Sequence, residues 1–107
     1  MKKEPVTFSC SDGRLHAVVA CELDHHTAKG VRERIDREVF FYRPRVLVLD
    51  MSGVGFMDSS GIALILGRVE VARAVGGSVH LSGLSPQLRK LVGLSGIERV
   101  AGLTVGP

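Results

Sequence analysis

Tryptophan is absent from this sequence, and one tyrosine and four phenylalanines are the only aromatics in 107 residues. The core must therefore be built from aliphatic side chains, and a surface that stacks successive bases on aromatic rings is excluded. Two cysteines cannot supply the disulfide framework of a small secreted domain. A tight connection at Ser11-Asp12-Gly13 would leave Cys10 beside the turn and Cys21 near the far end of the returning strand, too far apart to bond. No long hydrophobic run is present: stretches such as Ile62 to Leu66 are far too short to cross a bilayer, and Met1 to Pro5 is not followed by a signal-peptide core. A cytoplasmic protein that does not enter the membrane is expected. The formal charge is only +3, with basic residues interleaved with acids between Lys29 and Glu38, so no basic stripe points to nucleic acid.

What is present is enough for one core. Hydrophobic residues make up 45% of the chain and charged residues 23%, a globular composition at a length that suits a single domain spanning residues 1–107. Val6 to Cys10 and Arg14 to Ala20 read as an opening hairpin. Asp24 offers an N-cap carboxylate ahead of Ala28, Val31, Ile35 and Val39, which recur at three- and four-residue steps and define one apolar helix face. On the other face Arg32 and Asp36, Glu33 and Arg37, and Arg34 and Glu38 stand four apart as candidate helical ion pairs. Pro44 ends the helix. Arg45 to Met51 then carries four consecutive aliphatics, the pattern of a central strand covered on both faces.

A glycine-containing loop from Ser52 to Met57 leads to a second helix over Ser60 to Val75, with Ile62, Ile65, Leu66, Val69 and Ala72 as its apolar stripe and Gly76-Gly77 as its stop. Val79 to Leu81 is the next strand. Ser85 before Pro86 caps a short third helix that Gly96 closes, leaving Ala101 to Pro107 as an expected loose tail. Strand, strand, helix, strand, helix, strand, helix is an α/β order: a mixed, mainly parallel sheet with an N-terminal hairpin and covering helices.

Chemistry is concentrated in Phe56-Met57-Asp58-Ser59-Ser60-Gly61. This segment follows the buried strand and opens a helix, which sets its hydroxyls at the carboxyl edge of the sheet, where ligand sites of such folds lie. A helix start carries unpaired N–H groups and partial positive charge, so a phosphate ester is tolerated on Ser59. The same residue types also serve as ordinary helix caps. A hydrolase reading fails because no G-x-S-x-G elbow and no base assignable to Ser59 are present. Neither is there a phosphate loop with its lysine. His25-His26 beside Glu22 and Asp24 lack the four-residue spacing that converges on a metal, and His16 and His80 read as structural strand residues, so no metal is expected.

Cys21-Glu22-Leu23-Asp24-His25-His26-Thr27-Ala28 and Phe56-Met57-Asp58-Ser59-Ser60-Gly61-Ile62 resemble the two diagnostic stretches of the STAS-domain anti-sigma factor antagonists, the sporulation branch above all. Ile65-Leu66-Gly67-Arg68, Gly76-Gly77, Ser85-Pro86 and Leu94-Ser95-Gly96-Ile97 follow in family order, so the likeness runs along nearly the whole chain. It implies a binding switch rather than an enzyme. The unphosphorylated protein binds an anti-sigma factor that is a serine kinase, so freeing the sigma factor; phosphorylation of Ser59 ends binding, and a serine phosphatase restores it. Asp58, Ser60, Gly61 and Ile62 fall at the helix start that partners contact in the family; Asp24 and His25 lie after a strand and before a helix, so in a parallel sheet they share the edge that carries Ser59, and the two loops are expected to form one docking surface. ATP belongs to the kinase, no cofactor to this chain, and the free protein is expected to be a monomer. A STAS scaffold or small-ligand sensor that is never phosphorylated is the alternative. Cys21 stands where the family often has glycine, Ala63 replaces a frequent glycine, and the chain stops where the family adds a last helix.

Overall fold

The computed structural model describes residues 4–107. Strands β1 (Val6–Ser11) and β2 (Arg14–Val19) form an antiparallel hairpin, with Val6 opposite Val19 and Ser11 opposite Arg14. The connection is two residues, Asp12 and Gly13, with φ of 53° and 76°. Paired left-handed residues match the right-handed twist of the strands, which is why an Asp-Gly dipeptide suits this position.

Helix α1 (Ala28–Tyr42), β3 (Val46–Asp50), α2 (Ser59–Ala74), β4 (Ser78–Ser82) and α3 (Pro86–Ser95) follow, then a 3-10 turn at Ile97–Arg99 and β5 (Leu103–Val105). The sheet order is β1-β2-β3-β4-β5, parallel from β2 onward. Successive right-handed crossovers that always step in one direction place all three helices on one face. The in-register rows record this. Leu15, Ala17 and Val19 on β2, Leu47 and Leu49 on β3, Val79 and Leu81 on β4 and Leu103 on β5 are buried beneath the helices, while the alternate residues His16, Val18, Asp50 and His80 are half-exposed.

The centre of β3 is buried on both faces as expected, although helices cover only one of them. Val48 is 4% exposed on the face away from the helices, flanked in register by His16 and His80. Neighbouring strands shield it, which a run of aliphatics does not distinguish from helix cover.

The expected loose tail at 101–107 is corrected. Leu103–Val105 pairs in parallel with β4, Leu103 is buried, Gly106 N–H donates to the Leu81 carbonyl at 2.8 Å, and Arg89 donates to the Gly106 carbonyl at 2.9 Å. A three-residue strand carries too little periodicity to stand out in sequence, and the open edge of β4 recruits it.

Helix α1 buries Val31, Ile35 and Val39 as the spacing predicts. Its outer-face charges do not pair along the helix: Arg34 reaches Glu4, and Asp36 turns to Arg68 on α2. Ser85 caps α3 by accepting from Leu88 N–H at 3.2 Å, and Gly96 leaves it at φ 79°. Among the described residues no helix is long and apolar enough to cross a membrane.

Candidate functional site

The loops after β2 and β3 meet beyond the carboxyl edge of the sheet. Leu23 N–H donates to the Phe56 carbonyl at 3.0 Å, and Asp58 N–H donates to the Leu23 carbonyl at 3.1 Å, a one-residue parallel bridge between Leu23 and Met57. Both side chains are buried, so the bridge is anchored in the core. The residues that follow, Asp24 and Asp58, are neighbours across this junction. The two loops thus lie side by side at one edge, as their positions after parallel strands predict.

Gly61 sits under the junction. A Cβ there would overlap Met57 Cγ and Sδ and lie 3.2 Å from Leu23 Cβ, so only glycine lets α2 come this close to the bridge. Gly61 is buried and Ile62 half-buried against the core, so the exposed part of the site is carried by His25, Ser59 and the partly open Asp24, Asp58 and Ser60.

Helix α2 starts one residue earlier than its apolar pattern suggests, so Ser59 is its first residue and Ser60 its second. Asp58 is the N-cap, its Oδ1 accepting from Ser60 N–H at 2.8 Å, while its carbonyl accepts from Gly61 N–H at 3.0 Å. The capping carboxylate satisfies one free amide and holds the entry turn, leaving Ser59 exposed on its outer side.

On the partner loop Asp24 was expected to cap α1. Instead Thr27 precedes the helix with no side-chain cap, and Asp24 closes the turn before it. Its Oδ1 accepts from His26 N–H at 2.8 Å and Thr27 N–H at 3.1 Å, and its carbonyl accepts from Ala28 N–H at 3.0 Å. The amide of His26, with that of Thr27 and the nearby His26 and His25 rings, holds the Asp24 carboxyl below the usual carboxylate range. The Thr27 hydroxyl donates to the Glu22 carbonyl at 2.6 Å, so the loop is braced from within. Burial, followed by the Asp24 and Glu22 charges, pushes the Cys21 thiol up and keeps it protonated. Cys10 and Cys21 are both free thiols; Cys10 pairs across the hairpin with Leu15, next to the turn, as the sequence predicts.

Sequence reasoning missed Asp50. At the end of β3 its Oδ1 accepts from the Ser52 hydroxyl at 2.6 Å and Ser52 N–H at 3.0 Å, and its Oδ2 lies 3.3 Å from His16 Nε2. These bonds shape the start of the loop that delivers Met57 to Leu23. The Ser52 hydroxyl, then the Ser52 amide and His16, hold the Asp50 carboxyl below its ordinary 3.8. A lowered folded-state value means that the unfolded chain binds the proton first. The resulting stability is complete above 3.8 and is lost as pH falls through the folded value. Asp50→Asn is accordingly expected to lower stability at neutral pH and to flatten the acid limb below 3.8; urea denaturation across that range measures both. A variant that loses stability with acid as steeply as the wild type would remove Asp50 from this role.

The structure brings Asp24, His25, Asp58, Ser59 and Ser60 to one edge, and among the described residues no group of His, Cys, Asp and Glu is placed to hold a metal ion.

The profile of the STAS domain family matches residues 11–105. An anti-sigma F factor antagonist of Lysinibacillus sphaericus is 38% identical over 71% of this chain and 65% of its own, so the chain spans about two thirds of that curated relative's length. The solved structure of the anti-sigma factor antagonist SpoIIAA in its unphosphorylated form superposes with a TM-score of 0.77 at 27% identity, covering 95% of this chain and 88% of that one. The Bacillus SpoIIAA structure in the phosphorylated form gives 0.69 at the same identity, over 95% of this chain and 91% of that one.

Proposed function

Because the chain belongs to the STAS domain family, and its relatives there are anti-sigma factor antagonists, we propose that it is an anti-sigma factor antagonist switched at Ser59. The unphosphorylated protein docks an anti-sigma factor through the Leu23–Met57 junction and so releases a sigma factor in the cytoplasm. The anti-sigma factor is a serine kinase that uses its own ATP to esterify Ser59, and a serine phosphatase reverses the change.

The observation that carries this reading is the exposure of Ser59 on the first turn of α2, beside a surface made by two loops that the Leu23–Met57 bridge locks together. The likeness to a protein solved in both unphosphorylated and phosphorylated forms supports it. The helix entrance tolerates a phosphate in the free protein, because its N–H groups and dipole favour negative charge. A docked partner removes the water that would solvate it. Phosphoserine adds about −1.5 to −2 charges. Next to Asp58, and on the edge that also carries Asp24, it adds to the negative charge that a dry interface must take up. A penalty of about 2.8 kcal/mol would already weaken docking a hundredfold.

Intact-mass measurement after incubation with the cognate kinase and ATP tests the assignment. Wild type is expected to gain one phosphoryl group and Ser59→Ala none, while Ser59→Ala still binds the kinase. Phosphate mapped by fragmentation to Ser52, Ser60 or Thr27 would overturn it.

A further inference from the structure

Helices α1 and α2 leave a groove of about 360 Å³ between them, open to solvent and running back from the Ser60 end of the docking edge. Its charged lining is almost entirely cationic. Lys29 and Arg32 stand on the α1 side and Arg68 on the α2 side, with His25 and Ser60 at the end nearest Ser59. Ala63 and Leu64 give it an aliphatic wall.

Arg68 is what makes the groove unusual. It is only 4% exposed, and among the described residues its acidic neighbour is Asp36, whose Oδ1 lies 2.9 Å from Nε. That approach is out of line for a hydrogen bond: Nε, Nη1 and Asp36 Oδ1 all lack a hydrogen-bond partner. The groove is thus lined by three cations and, among the described residues, no carboxylate, Asp36 standing outside it beside Arg68 and Arg32, and the buried guanidinium retains two nitrogens without an acceptor. A guanidinium donates in a planar fork that matches a carboxylate, and buried donors without acceptors are costly.

The occupant that fits is an acidic side chain on a polypeptide. A carboxylate answers the cations, the methylenes that carry it lie against Ala63 and Leu64, and the chain continues onto the adjoining Ser59 edge. We infer that the α1–α2 groove receives a glutamate or aspartate side chain of the protein docked at Ser59, its carboxylate accepting from Arg68, Lys29 and Arg32. The identity of that protein rests on the anti-sigma factor reading, but the chemistry of the groove does not.

Titration of the isotope-labelled full chain with a hexaglutamate peptide, followed by NMR, tests the groove by itself. Saturable shifts are expected at the amides of Lys29, Arg32 and Ala63 and at Arg68 Nε–H, with none for hexalysine. The exposed double substitution Lys29→Glu, Arg32→Glu should weaken peptide binding at least tenfold and reduce its salt dependence. Shifts absent or confined to other basic positions would overturn the proposal. So would inorganic phosphate that saturates the groove and that hexaglutamate cannot displace. Binding of the cognate anti-sigma factor separates the two readings. Equal affinity for wild type and the double variant removes the groove and leaves Ser59 in place. No affinity for wild type removes the Ser59 reading, while the peptide titration still decides the groove.

Discussion

Asp36→Ala is expected to cost about 3 kcal/mol in stability, whereas Arg68→Met should cost no more than about 1 kcal/mol. The asymmetry follows from burial. Asp36 has a side chain 24% exposed and Arg68 one of 5%, so the two ends of the ion pair do not depend on each other equally. Without Asp36 the guanidinium stays trapped between α1 and α2 with Arg32 as its charged neighbour, an uncompensated buried cation. Without Arg68 the carboxylate can turn toward water, and methionine refills much of the apolar stem's volume. Burial already pushes the Asp36 carboxyl up, with Arg68 and Arg32 opposing that shift, so its ionised form has little to lose by leaving. Urea denaturation of both variants measures the difference, and a larger cost for Arg68→Met would refute the account. Asp36→Ala, where folded, should also bind hexaglutamate more tightly, since it removes the acid that competes for the groove.

Gly61→Val should be the most damaging substitution at the docking edge. Valine's Cβ would overlap Met57 Cγ and Sδ and press on Leu23, the two residues whose backbones join the loops. Met57 is 5% exposed and Leu23 fully buried, so a displaced Met57 side chain has to be refitted within the core. Overpacking of this kind costs about 1–3 kcal/mol, and valine belongs at the upper end. Moving Met57 away from the added side chain strains the bridge to Leu23 and with it the alignment of the two loops. Loss of stability should therefore accompany loss of partner binding and of phosphorylation at Ser59. Gly67→Ala on the same helix is the control: a Cβ there meets nothing within 4 Å, and alanine should raise stability by up to about 1 kcal/mol. Unchanged partner affinity in a folded Gly61→Val protein would show that the junction is not part of the docking surface.

Much of this was legible in sequence because the signals are local. Asp12-Gly13 specifies its turn through two left-handed residues, Ser85-Pro86 and Gly96 bracket α3, and Asp58 followed by Ser59 and Ser60 announces a helix start. Helix α2 shows where such reading stops. Its predicted stripe included Ile62 and Leu66, but the buried face comprises Gly61, Leu64, Ile65, Arg68, Val69 and Ala72. A glycine and an arginine on the buried side, with isoleucine and leucine half-exposed beside them, hide the true direction of the helix from any count of apolar residues.

By itself the sequence determined the kinds and order of the elements up to α3, and the position of Ser59 near a helix entrance, since capping, turn preference and periodicity act within a few residues. The tertiary structure alone decided that Leu23 pairs with Met57, that Asp36 leaves its helical neighbour for Arg68, and that Leu103–Val105 completes the sheet. Each of those depends on which distant groups meet and lose their water together, and no short window of residues carries that information.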